Sequence, residues 1–357
     1  MLRLMRARWR FQRALRRWRA GQITAALQHG DDAVTRFAAC LDRRPGGEPE
    51  ELVTAILAMA GFRTELADYT TAERLCQRAL AVLDMRDNRK LRVVALVRLG
   101  SVQRLHGEFH RAEEALRSAV ALAGQQPVDP ALLCVAHNGL GIVFKETGRY
   151  QAAAQEYDVA FGLSESAIEL AAAVHHNLAG LAYAEGRLVE AETWARQGLV
   201  LRERVDPAGS TGIAGDICVL GAVLVARQRY AEAEELLRRA LGIWTARFGP
   251  EHYEVSVCLH NLAVLQQRRG EADAALLSFQ EALRIRERVL GAAHPELAVV
   301  LNSLAAFHED QGRTDEAAAY TSRAKELSGR ETVSDDGAGG AREHSGSDHD
   351  GRASMTR

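Results

Sequence analysis

Large apolar, small and polar side chains follow one another along this chain with two superimposed periods. Locally the apolar positions recur every three to four residues, the spacing of one helix face. At longer range the whole pattern returns about every 42 residues, which is the mark of stacked repeats. The plainest copy runs from Ser256 to Leu327. Shifted by 42, HNLA at His260–Ala263 falls on the LNSLA stretch at Leu301–Ala305, Gly270 falls on Gly312, Ala275 on Ala317 and Ala282 on Ala324.

The same register extends back to Val53. A turn residue between two paired helices is predicted at Ala67, Gly107, Gly148, Gly186, Gln228, Gly270 and Gly312. Glycine suits that place because it tolerates the left-handed conformation that ends a helix. Two residues on stands a ring or its substitute: Tyr69, Phe109, Tyr150, Leu188, Tyr230, Ala272, Thr314. Five residues after the turn comes alanine every time, from Ala72 to Ala317, and twelve after it comes alanine or Gly198. Eight before it is a large apolar residue (Met59, Leu99, Leu140, Leu178, Leu220, Leu262, Leu304), followed by a small one. Two antiparallel helices approach closely only where small residues meet, with a large neighbour filling the space beside them. A single hairpin of this kind cannot bury its apolar face, so the units must stack.

These small, large and glycine positions resemble the tetratricopeptide repeat. The 42-residue period, the helix ends at Arg239–Ile243 and Glu281–Ile285, and the LGxxHP loop at Leu290–Pro295 are similar to its kinesin-light-chain-type subgroup. The long heptad coiled coil of kinesin light chain has no counterpart here. The resemblance implies an all-α protein, a right-handed α-solenoid of stacked antiparallel helix pairs, with seven repeats over residues 53–327. It also implies that the first helix of each repeat lines a concave groove where partner segments lie.

By register that lining comprises Arg98, Ser101, Arg104, Asn138, Lys145, His176, Asn177, Tyr183, His260, Asn261, Gln267, Arg268 and Asn302. Asparagine is a poor helix former, about 0.6 kcal/mol worse than alanine, yet it recurs at one helical position. Its amide can bind the backbone of an extended peptide, or it can hold neighbouring repeats in register. The cationic members suit a partner carrying carboxylates, or they form an ordinary solvated face. The expected function is a protein–protein interaction scaffold holding a peptide segment. The alternative is a bacterial peptide-sensing regulator whose superhelix changes shape on binding.

Outside the array, residues 1–20 carry eight arginines, no lysine and no acid. Leu4, Ala7, Phe11, Ala14, Leu15 and Trp18 share one face of the helix they predict. It either caps the first repeat or docks on an acidic or lipid surface. Residues 21–52 read as a degenerate repeat or cap with Gly30 in its turn, ending in the breaker RRPGGEP. RVDPAGSTGIAG, from Arg204 to Gly215, reads as a loose point, and 328–357, rich in Gly, Ser and Asp, as a disordered tail.

Composition narrows the chemistry. Net charge is −2, which supplies no field toward nucleic acid or membrane, and no window is apolar enough to span a bilayer. Five cysteines, odd in number and scattered, fit reduced thiols in a cytoplasmic protein. There is no phosphate-binding loop, nucleophile elbow or H-E-x-x-H motif. Neither His308–Asp310 nor Asp348–Asp350 reads as a metal site. No catalytic residue, metal or cofactor is expected.

Overall fold

The computed structural model describes residues 2–42, 49–84, 88–125 and 128–329. Among them are sixteen α-helices, one short 3₁₀ turn and no strand. The helices form antiparallel pairs: α1 (Leu2–Arg19) with α2 (Ile23–Asp42), α3 (Glu50–Glu65) with α4 (Tyr69–Asp84), and α5 (Arg89–Leu105) with α6 (Phe109–Ala123). Next come α7 (Pro130–Glu146) with α8 (Tyr150–Leu163), and α9 (Ile168–Ala184) with α10 (Leu188–Val205). The last are α11 (Thr211–Ala226) with α12 (Tyr230–Phe248), α13 (Tyr253–Arg268) with α14 (Ala272–Leu290), and α15 (Leu297–Asp310) with α16 (Thr314–Gly329). The result is an α-solenoid.

The seven predicted turn residues all have positive φ, including Ala67 at 57° and Gln228 at 62°. That conformation costs a non-glycine residue about 1–2 kcal/mol, so the turn geometry outweighs the local preference. The alanine five residues further on is buried in every repeat. In three repeats it shares a core cluster with the large apolar residue of the first helix, Ala72 with Met59, Ala153 with Leu140 and Ala233 with Leu220. Linkers between repeats are capped: Asn88 Oδ1 accepts from Leu91 N at 3.1 Å, Asp129 Oδ1 from Leu132 N at 3.3 Å, and Ser210 Oγ from Ile213 N at 3.1 Å. Such caps contribute about 1 kcal/mol each.

Successive first helices pack on one another, α3 on α5, α5 on α7, α7 on α9, α9 on α11 and α11 on α13. They form the inner layer, and each second helix packs on the first helices either side of it. A ladder of ion pairs ties the repeats together. The glutamate after the invariant alanine binds an arginine on its own helix and another at the next repeat's turn. Glu113 pairs with Arg117 and Arg149, both at 2.7 Å. Glu234 pairs with Arg238 at 2.8 Å and Arg269 at 2.5 Å. Glu192 holds Arg196 at 2.9 Å, Arg229 at 2.7 Å and also Arg227.

The superhelix turns tightly enough to touch itself. His252, in the α12–α13 linker, bonds Glu65 O through Nε2 at 2.7 Å, and Arg247 Nη1 donates to Arg19 O at 3.2 Å. Trp18 stacks on Phe62 with centroids 4.1 Å apart and meets Phe248 at 6.4 Å. In the α14–α15 linker, Pro295 abuts Gly107, where a Cβ would lie 3.3 Å from its Cγ. Phe248 and Leu290 pack into the N-terminal core.

Four expectations are corrected. Gly30 is not in a turn. It lies inside α2, buried, and a Cβ there would run into Met59 of α3, so the glycine allows two helices to approach. The turn is at Gly21, φ 72°. The Arg204–Gly215 segment is not one long loop, since α10 runs to Val205 and α11 starts at Thr211, capped by Ser210, which bonds Asp206 at 2.9 Å. Helix α16 continues to Gly329, so the array does not stop at 327; residues 330–357 lie outside the described residues. The cysteines are not all apart. Cys218 and Cys258, 40 residues distant in sequence, bring their sulfurs to 3.0 Å, while all five remain free thiols. The apolar stripe of α1 is taken up by packing, with Phe11 edge-on to Phe37 at 6.4 Å, and its arginines reach Glu51 and Asp32.

Candidate functional site

Closure of the superhelix leaves a central cavity of about 510 Å³ against the inner layer, within the range of roughly 300–1,000 Å³ typical of ligand pockets. The C-terminal ends of α5 and α7 supply Arg104 and Glu146. The middle of α9 supplies His176 and Asn177, and the start of α11 supplies Asp216 and Cys218. From the linkers and helix ends opposite come Arg202, Trp244, Tyr253, Glu254 and Glu296, with Tyr69 from α4.

Most of its charges are paired. Arg104 binds Glu146 with both oxygens, at 2.8 and 2.9 Å. Burial disfavours the Arg104 charge, but Glu146 more than restores it, so its pKa rises. Asp216, buried, accepts from Arg202 at 3.1 Å and lies 2.6 Å from His176 Nδ1. Glu296 accepts from Tyr253 OH at 2.9 Å and lies 4.0 Å from the buried Arg286. Glu254 has no ion pair or side-chain hydrogen bond among the described residues; burial raises its pKa, opposed by His176, Arg286 and Arg104. Burial also pushes the Tyr69 phenol up to about 12. Trp244 is nine-tenths buried and its enclosed indole N–H finds no acceptor among the described residues.

Of the thirteen groove residues expected from the sequence, Arg104, His176 and Asn177 line this cavity. Asn177 Nδ2 donates to Asn138 Oδ1 at 2.8 Å, so these two amides do hold adjacent repeats. Asn261 is half-buried and Asn302 exposed, and neither makes a hydrogen bond among the described residues. Arg98 lies down on α3, its Nη1 2.8 Å from where a Gly61 Cβ would be. Lys145 lies on Gly180 in the same way, at 3.3 Å, and burial lowers its pKa. Ser101 Oγ donates to Val97 O at 2.9 Å, and Gln267 to Asp310 at 2.6 Å. Tyr183 is exposed. His260 packs edge-on against Phe279 at 5.7 Å; burial and then Arg286 drive its pKa down to about 3. An imidazole so held stays neutral.

Sequence reasoning missed Tyr69, Glu146, Arg202, Asp216, Trp244, Tyr253, Glu254 and Glu296. A signal was present for two of them. HYE at His252–Glu254 and HPE at His294–Glu296 are the same motif 42 residues apart.

One cluster has metal-binding donor types. Glu73, His106 and Glu108 bring ligand atoms within 4.8 Å of one another. Arg111 already occupies it, bonding Glu73 at 2.6 Å and Glu108 as well. His308 is buried and stacks on Tyr320 at 5.4 Å. Asp348–Asp350 lies outside the described residues. No helix among the described residues is long and apolar enough to cross a membrane.

Comparison with known proteins agrees with this architecture. In overall fold the chain is similar to a Rap protein crystallised with competence and sporulation factor: TM-score 0.67, 11% identity, 92% of this chain and 99% of that one. It is also similar to the apo form of RapI, with TM-score 0.58, 12% identity, and 79% and 99% covered. Putative kinesin light chain TPR-like repeats from Podospora anserina align at TM-score 0.43 and 19% identity, over 55% of this chain and 95% of theirs, too slight a likeness to argue from. No curated protein matches the sequence. A tetratricopeptide repeat family matches residues 217–288, and the MalT-like TPR region matches residues 52–248, more than half of the chain. The protein therefore belongs to the tetratricopeptide repeat proteins, in the family of the MalT-like TPR region.

Proposed function

We propose that this protein is a cytoplasmic interaction scaffold that holds a peptide segment of a partner along the inner face of its superhelix. The carrying observation is the cavity of about 510 Å³ on that face, with Arg104, His176 and Asn177 in its wall. The groove beyond it offers Asn261 and Asn302, two amides with no hydrogen bond among the described residues, which suit a peptide backbone. Lys145 has no ion pair among the described residues and Arg268 is exposed; both suit carboxylates of the segment. The four buried free cysteines accord with a reducing compartment.

A second reading has one observation in its favour. The solenoid touches itself, at Trp18, Glu65, Arg247 and His252 and again at Gly107 and Pro295, so a ligand drawn into the cavity would bias how tightly it closes. The similarity to a Rap protein bound to competence and sporulation factor supports this reading by fold alone. A pull-down from lysate with the wild type and with a folded Asn177→Ala plus Asn261→Ala variant tests the groove. Loss of the recovered partner is expected; unchanged recovery would remove the groove as the site.

A further inference from the structure

We infer that the central cavity is a cation-recognition subsite, built to take the guanidinium or ammonium of a basic residue in the bound segment. This deepens the groove reading and rests on it.

The charge count decides the sign of the ligand. The wall carries four carboxylates, Glu146, Asp216, Glu254 and Glu296, against two guanidinium groups, Arg104 and Arg202. Arg104 is satisfied by Glu146, and Arg202 with His176 by Asp216. Glu296 has Tyr253 and, at 4.0 Å, Arg286. Glu254 is left without an ion-pair partner among the described residues, and His176, Arg286 and Arg104 act on it only from beyond ion-pair distance. A carboxylate held in a part-enclosed, low-dielectric cavity without a counter-ion in contact is costly, and burial correspondingly favours its neutral form. An incoming cation removes that cost by supplying the missing partner. An anion would meet uncompensated negative charge.

Trp244 lines the same cavity with part of its ring, while its indole N–H is itself enclosed and does not open onto the cavity, so Glu254 reads the ligand's charge. The occupant follows from the groove reading: a segment lying along the inner face brings an arginine or lysine to the cavity, and a free polyamine is the competing source of a cation. The open groove, with Lys145 and Arg268, would then face acidic residues elsewhere in the same segment.

The test is isothermal titration calorimetry on the full chain at pH 7.5 with three probes: acetyl-Ala-Arg-Ala-amide, the same peptide with citrulline for arginine, and spermidine. Citrulline keeps the shape and hydrogen bonds and removes the charge. The arginine peptide is expected to bind at least tenfold tighter than the citrulline peptide, and Glu254→Gln to reduce it to the citrulline level. Gln is isosteric and Glu254 has no ion-pair partner to lose, so the helical circular dichroism should be unchanged. Spermidine bound in a Glu254-dependent way, with no peptide binding, would support the cation subsite and overturn its assignment to a peptide. Equal affinity for the two peptides, binding indifferent to Glu254→Gln, or no binding of any probe would overturn the inference. The pull-down with the asparagine variant judges the groove separately.

Discussion

Gly141→Ala is the sharpest check on the packing that builds the array. Gly141 sits in α7 at the small position, against the face of α8. A Cβ there would lie 2.5 Å from Tyr157 Cδ1 and 3.0 Å from Cζ, and would also press on Cε1. Tyr157 is fully buried, so its rigid ring has no free space to move into. Alanine in a helix interior gains about 1 kcal/mol over glycine. Overpacking a filled core costs about 1–3 kcal/mol, and a boxed-in ring belongs at the upper end. The net expectation is a loss of about 1–2 kcal/mol. Gly242→Ala is the matched control: Gly242 is mid-helix in α12, exposed, with nothing within 4 Å of its added Cβ. That variant should gain about 0.5–1 kcal/mol. Urea unfolding followed by circular dichroism at 222 nm reads both. A Gly141→Ala protein as stable as Gly242→Ala would refute the claim that close helix approach at this position sets the repeat geometry.

Three further outcomes follow from the charges and thiols. Burial raises the pKa of Glu254. Its contribution to stability is therefore full below the ordinary carboxylate range and is lost as pH rises through the raised value. The groups facing it are Arg104, His176, Arg286, Glu296, Tyr69, Tyr253 and Cys218, all unchanged by Glu254→Gln. Thermal unfolding from pH 4 to 8 should show that variant gaining on the wild type as pH rises; a constant gap would contradict the assignment. For Glu192, burial is outweighed by its arginines and the pKa is lowered. Glu192→Gln should cost about 1–2 kcal/mol at pH 7, a charged hydrogen-bond loss discounted because its arginines are a third or more exposed. The cost should fade as pH drops through the lowered value; urea unfolding at pH 7 and pH 3.5 checks it. Burial pushes the Cys76 thiol up to about 12 and Cys134 up to about 11, while Cys40 is half-exposed. Iodoacetamide at pH 8 should label Cys40 first, with the others reacting only on unfolding. Fast native labelling of Cys76, read by mass spectrometry, would count against the core.

The solenoid was legible because its determinants are local and repeated. A small residue, a large one and a positive-φ turn each have a fixed offset, and seven copies cannot agree by accident. Even the exceptions Ala67 and Gln228 adopt the glycine conformation. Gly30 misled because a lone glycine in a helical stretch signals either a turn or a close approach, and only the Met59 contact distinguishes them. The site was legible in part. Register placed Arg104, His176 and Asn177 on the inner face, but not how tightly the superhelix turns. That turn brings residues such as His252 and Glu65 together, and it carries Glu254, from the first turn of α13, and Glu296, from the α14–α15 linker, into the cavity wall. Pairing was equally invisible: Arg104 read as a free cation and is held by Glu146, 42 residues away.

The central claim is that partners lie on the inner face. Photo-crosslinking tests it most directly, with p-benzoylphenylalanine placed at Tyr183 on the inner-layer helix α9 and, separately, at Leu277 on the second helix α14. Both positions are exposed, at 42% and 67%, so both probes tolerate the substitution and see solvent. The account predicts a covalent partner adduct from position 183 and none from 277. Adducts from 277 alone, or equally from both, would contradict it.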